Sequence, residues 1–136
     1  MSPGETLAMI QVKPFVAIVD DEESVRRAIK RLLRSAGVAS ETFKTGDEFL
    51  EMFESIPSYR PACVALDIQM PGANGLEVQR RLEGSGVPVI FITAHDQAAI
   101  RQEAFAKGAA GYLTKPFNDE VLIKAVRAAI AMNDET

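Results

Sequence analysis

The sequence predicts an α/β domain: a doubly wound parallel sheet of five strands with five helices on its two faces. Three observations predict it. Short, continuously apolar runs suited to strands buried on both faces recur along the chain, as at 15–19 and 63–66. Amphipathic stripes at helical spacing separate them. The length, 136 residues, is that of one ordinary domain. Strands that alternate with helices imply βαβ units, and right-handed crossovers leave few ways to wind them.

The elements follow in order. Phe15 to Val19 is the first strand. Asp21 is the expected N-cap of the next helix, and Glu22 and Glu23 suit the positive end of its dipole. Val25, Ala28, Ile29, Leu32, Leu33 and Ala36 form its apolar stripe, and Gly37 stops it. Ala39 to Phe43 alternates and reads as an edge strand. Thr45-Gly46-Asp47-Glu48 fits a capping box for a helix that turns Phe49, Leu50 and Phe53 inward. Cys63 to Leu66 is the third strand, and the cluster Pro71-Gly72-Ala73-Asn74-Gly75 is a turn before a short helix, Leu76 to Leu82. Val87 to Ile92 is the fourth strand, with Pro88 near its start, where a missing donor is tolerated. Asp96 to Lys107 is an Ala-rich helix with few large apolar residues, and Ala110 to Leu113 is the fifth strand. Asn118 caps a last helix whose stripe is Val121, Leu122, Ala125, Val126, Ala129 and Ile130, ending near Met132. The expected organisation is an N-terminal extension over 1–14 with a weak apolar patch at Leu7, Met9 and Ile10, one domain over 15–132, and a polar tail over 133–136.

Composition removes several classes of function. Hydrophobic residues at 47% and charged residues at 25% are those of a soluble globular domain, so disorder and low complexity are excluded. Fifteen Lys and Arg face nineteen Asp and Glu, a net charge of −4, so this domain is not expected to bind nucleic acid itself. Cys63 is the only cysteine and His95 the only histidine, which rules out an internal disulfide, a cysteine zinc site and a His-rich metal centre. No apolar run approaches the roughly 20 residues of a membrane helix, and no basic segment opens a signal peptide. The expectation is a cytoplasmic protein without membrane contact. Asp20 to Glu23 contribute four acids, the same number as the net charge.

In an open α/β sheet the ligand site lies at the carboxyl ends of the strands. Asp20 and Asp21 follow the first strand, Asp67 the third, Thr93 and Ala94 the fourth, and Thr114, Lys115 and Pro116 the fifth. The edge strand ends at Phe43 and Lys44 and adds no acid. Three carboxylates on one rim repel and raise one another's pKa values, and a divalent cation offsets that repulsion. An all-oxygen donor set suits Mg²⁺. A carboxylate also serves as a nucleophile toward phosphorus, and a Lys and a hydroxyl can hold the remaining phosphoryl oxygens.

These marks, with Met70-Pro71-Gly72 and Gly75 after the third strand and Lys115-Pro116-Phe117 after the fifth, resemble the receiver domain of two-component response regulators, the chemotaxis-regulator type. The resemblance runs from about Phe15 to Met132, and the wording is closest to receivers that precede a helix-turn-helix output domain. It implies the flavodoxin-like strand order 2-1-3-4-5. It implies that Asp67 is the phosphoacceptor, and that Asp21, Asp67 and the backbone carbonyl of Gln69 hold Mg²⁺ (or Mn²⁺) with the help of Asp20. Lys115 then contacts the phosphoryl group, Thr93 donates its hydroxyl to it, and Tyr112 is the aromatic switch residue. Gln69 and His95 tune dephosphorylation, and the Lys115–Pro116 bond is cis. The implied partner is a histidine kinase, and the surface of the fourth helix, fifth strand and fifth helix changes to bind a target or a second copy. Output runs through a DNA-binding domain absent from this chain or through protein–protein signalling by the single domain. The implied protein is no enzyme beyond slow self-dephosphorylation.

Plainer readings compete. Asp21 to Glu23 serve as a helix cap and first turn without any metal. Strand aromatics such as Tyr112 are usually packing residues. His95 has no Ser or Cys nucleophile beside it. Arg26, Arg27, Lys30, Arg31 and Arg34 put five bases on the first helix, either a solvated face or a surface for docking the kinase. Two other functions use similar parts. One is a Mg²⁺-dependent phosphohydrolase with an Asp nucleophile. The other is a flavin carrier, which the acids at 20–23 oppose because they repel a flavin phosphate.

Overall fold

The computed structural model describes residues 14–134. The N-terminal extension expected over 1–14 therefore lies, except for Pro14, outside the described residues. Five strands, β1 (Phe15–Val19), β2 (Ala39–Phe43), β3 (Cys63–Leu66), β4 (Val89–Thr93) and β5 (Gly111–Thr114), alternate with five helices. The helices are α1 (Glu23–Ser35), α2 (Gly46–Ser55), α3 (Gly75–Arg81), α4 (Ala98–Ala106) and α5 (Asp119–Asp134). All strand pairs are parallel, in the order β2-β1-β3-β4-β5.

The apolar runs are strands because the sheet is covered on both sides. Alternation by two sends Val16 and Ile18 of β1 to one face and Ala17 and Val19 to the other. On the first face they meet Ile29 and Leu33 of α1 and Leu122, Val126 and Ala129 of α5. On the second, Val19, Leu66 and Phe91 pack with Phe49 and Leu50 of α2, Val78 of α3 and Ala104 of α4. Phe49 and Phe91 are wholly buried. At roughly 25 cal/mol per Å² of apolar surface, burying each such ring contributes on the order of 3 kcal/mol.

Side-chain caps set several helix starts. Thr45 Oγ1 accepts the Glu48 N–H at 3.0 Å, while the Glu48 carboxylate takes the Lys44 N–H at 3.3 Å, one residue before the cap. Asn74 Oδ1 accepts the Glu77 N–H at 3.0 Å, so α3 opens at Gly75 and not at Leu76. Asn118 Oδ1 accepts from Glu120 and Val121.

Several boundaries and faces differ from expectation. Asp21 does not cap α1: Glu22 is the N-cap residue, without a side-chain bond, and its N–H goes to Asp20 Oδ1 at 2.9 Å. Strand β4 starts at Val89, because Pro88 has no N–H for the ladder, though its carbonyl accepts from Val64. Strand β5 is shifted one residue toward the C-terminus, and α4 is shorter at both ends than 96–107. Helix α5 continues to Asp134, two residues past the expected end. Ala28 and Val121 are exposed, whereas Arg26, counted among the surface bases, is 8% exposed. Among the described residues, no helix is long and apolar enough to cross a membrane.

Candidate functional site

A parallel sheet delivers all its carboxyl ends to one edge, and here the ladder continues one residue beyond the strands. The Asp20 N–H donates to the Phe43 carbonyl at 3.2 Å, the Asp67 N–H to Val19 at 2.9 Å, and the Lys115 N–H to Thr93 at 2.8 Å. Each residue is thus held by its backbone before its side chain does anything. Asp20 and Asp67 are 2% and 5% exposed.

Lys115 joins the acids. Its Nζ donates to Asp20 Oδ2 at 2.8 Å and stands 3.7 Å from both Asp67 Oδ2 and Glu22 Oε1. Burial opposes its charge, but the hydrogen bond to Asp20 and the fields of Asp20, Asp67 and Glu22 outweigh burial, so the ammonium titrates above its ordinary value. Asp67 behaves in the opposite way. Burial, with the negative charges of Asp20 and Asp21, pushes its carboxyl up to about 6, although Lys115 and the Ile68 N–H pull it down. At neutral pH it is a carboxylate whose charge is only partly compensated, a group primed to bind a cation or to attack an electrophile.

The loop that follows Asp67 is held by close packing. The Gly75 N–H donates to the Ile68 carbonyl at 2.8 Å, and a Cβ at Gly75 would stand 2.8 Å from Ile68 Cα and nearer still to the Asp67 carbonyl oxygen. Only glycine lets α3 start this close to the site. Gly72, at φ +75°, turns the same loop, and Asp47 of α2 accepts the Ala73 N–H at 3.2 Å. The Lys115–Pro116 peptide is cis.

The other residues singled out in the sequence are placed as follows. Thr93 is buried at the end of β4, and its hydroxyl is engaged with His95, accepting the His95 N–H at 3.1 Å. His95 itself is exposed, as is Gln69. Tyr112 is half-buried in β5, with the Arg101 guanidinium 5.0 Å from its ring centre and Phe105 at 6.3 Å. Its hydroxyl is shut from solvent without a partner at hydrogen-bond geometry, and burial, with the Asp96 carboxylate nearby, raises its pKa.

Two participants escaped the sequence reading. Glu22 shares the acidic cluster: carboxylate oxygens of Asp20, Asp21 and Glu22 all lie within 4.8 Å of one another, while Asp67 stands outside that trio. Arg26 lies under the same loop and donates from Nη1 to the Asp20 carbonyl at 2.8 Å. Its spacing from Ile29 and Leu33, i+3 and i+7, already placed it on the buried stripe. The donor set contains only oxygen and carries excess negative charge, which is the chemistry that fits a hard divalent cation such as Mg²⁺.

Comparison with known proteins agrees with this architecture. The family model of the response regulator receiver domain matches residues 16–127. The chain is 36% identical over 119 residues to the response regulator protein TodT of Pseudomonas putida, covering 86% of this chain and 51% of that protein. It is 38% identical over 122 residues to the transcriptional regulatory protein TdiR of Thauera aromatica, covering 88% and 52%. It therefore spans about half the length of these relatives. The crystal structure of a response regulator receiver protein from Burkholderia phymatum superposes with a TM-score of 0.80 at 61% identity, covering 88% of this chain and 96% of that one. The chain belongs to the response regulator receiver domain family, a family of signalling domains of two-component systems.

Proposed function

We propose that this domain is a phosphorylation-controlled switch in which Asp67 accepts a phosphoryl group from a histidine kinase. The observation that carries the reading is the convergence on Lys115: three carboxylates from two strand ends stand around one ammonium from a third. Burial beside Asp20 and Asp21 leaves the Asp67 charge only partly compensated, which suits a nucleophile. Its carboxylate oxygen attacks phosphorus in line, the bond from phosphorus to the donor nitrogen breaks, and the donor imidazole keeps the electron pair and takes up a proton.

Asp20, Asp21, Asp67 and the Gln69 carbonyl would hold Mg²⁺ (or Mn²⁺), with Glu22 beside them. When bound, the dication neutralises charge that develops on the transferring phosphoryl group. Lys115 leaves Asp20 to pair with a phosphoryl oxygen, and the Thr93 hydroxyl exchanges its His95 partner for another. His95 and Gln69, exposed at the rim, set how readily water reaches the acyl phosphate. Movement of Thr93 opens space for Tyr112 to turn inward, so the face formed by α4, β5 and α5 shifts between two pre-existing arrangements. That face then engages a target or a second copy of the domain. Output is transcriptional, through a domain beyond this one, or protein–protein signalling by the domain alone.

Acetyl phosphate with Mg²⁺, followed by intact mass, tests the reading. Wild type is expected to gain one phosphoryl group that hydroxylamine removes, and Asp67→Asn none. No uptake by wild type, or equal uptake by Asp67→Asn, would sink it.

A further inference from the structure

Arg26 stands out among the charged residues of α1. Its neighbours Arg27, Lys30, Arg31 and Arg34 are all exposed. Arg26 is 8% exposed, and its Nη1 donates at 2.8 Å to the main-chain carbonyl of Asp20, not to any carboxylate. A buried guanidinium is expensive to desolvate, and a charge-assisted bond to a backbone oxygen recovers part of that cost. A buried apolar side chain on the same stripe, beside Ile29 and Leu33, would pack there without it. The bond therefore points to a use in holding the loop.

The loop in question is short. Asp20 is anchored on the strand side by its N–H on Phe43, and its carboxylate binds the Glu22 N–H through Oδ1 and Lys115 through Oδ2. The Asp20–Asp21 peptide is the remaining free link, and Asp21 is exposed. A peptide unit is planar, so holding its carbonyl fixes the direction in which the Asp21 Cα and its carboxylate leave.

We propose that Arg26 is a positioning residue: by clamping the Asp20 carbonyl from beneath, it orients the acidic loop of Asp20, Asp21 and Glu22 toward a bound divalent cation. This rests on the metal-dependent reading above. Two physical effects of Arg26 have opposite signs. As a nearby positive charge it weakens cation binding. As a clamp it strengthens binding, as outer-shell partners of metal ligands do. The proposal is that the clamp wins.

The test uses the whole chain, with Mg²⁺ affinity by calorimetry and backbone amide exchange by mass spectrometry. Arg26→Met keeps the unbranched stem but removes charge and bond. It is expected to bind Mg²⁺ about tenfold more weakly, with faster exchange over residues 20–24 and unchanged protection over 29–35. Arg26→Lys, which keeps the charge and one donor, is expected to fall between wild type and Met, and it carries the test if the Met variant fails to fold. Tighter or unchanged Mg²⁺ binding in these variants, or unchanged exchange over 20–24, would overturn the proposal. If wild type itself binds no Mg²⁺, the metal reading falls, and exchange over 20–24 alone then decides whether Arg26 holds the loop.

Discussion

Replacing Asp67 with Asn should make the metal-free protein more stable at neutral pH. The folded structure holds this carboxyl at about 6 against an ordinary 3.8, because it is buried beside Asp20 and Asp21. The folded state therefore binds a proton more tightly than the unfolded chain. Below pH 3.8 both states are protonated and no penalty exists; it grows as pH rises through 4 to 6 and is complete above that. At about 1.36 kcal/mol per pH unit, the full penalty is about 3 kcal/mol. The Asp67 side chain is 7% exposed, so solvent screens little of it. Asn has nearly the same shape and no charge, and the attraction of Lys115 is already contained in the value near 6; an amide replaces a neutral carboxyl imperfectly, so a gain of about 1–3 kcal/mol is expected. For a domain of this size that is roughly 3–10 °C in Tm. The assay is thermal unfolding of both proteins in chelator at pH 7.5 and at pH 4.5. The gap should be wide at 7.5 and narrower by about 2 kcal/mol at 4.5. A gap that is absent at 7.5, or equal at both pH values, would refute the electrostatic account of Asp67.

Two further outcomes follow from packing. Gly75→Ala places a methyl group against the backbone of Asp67 and Ile68, so it should cost about 1–3 kcal/mol in urea denaturation and slow acetyl-phosphate labelling; a variant as stable and reactive as wild type would show that α3 can yield there. Cys63 is wholly buried and burial pushes its thiol up to about 12. At pH 8 the native protein should react with a thiol reagent only as fast as it unfolds, and the denatured protein should react with one equivalent at once. Rapid native labelling would contradict the core assignment.

Much of the site could be read along the chain because the sheet is parallel. Once Phe15–Val19, Cys63–Leu66 and the two later runs are recognised as strands, Asp20, Asp67, Thr93 and Lys115 fall at their carboxyl ends, and a parallel sheet brings those ends to one edge. Helix limits were less legible. Where a cap residue bonds the first turn, as at Thr45, Asn74 and Asn118, the start is within a residue of expectation. Where no side chain caps, at Glu22 and Gln97, the helices start one and two residues later than expected, since no side-chain bond sets them.

What the sequence determined by itself is the order of the elements and the kind of groups on the rim, because both follow from periodicity and chain direction. Which atoms meet was decided by the tertiary structure. Lys115 and Asp20 are 95 residues apart and bond only because β1, β3, β4 and β5 lie side by side at a set spacing. Spacing alone sets Arg26 on the buried stripe of α1, but its bond to the Asp20 carbonyl depends on the turn after β1. Thr93 has a hydroxyl in any conformation, but its engagement with His95 depends on the turn that ends β4. Partners across the sheet are chosen by distance in space, and distance in space is a property of the packed layers rather than of neighbouring residues.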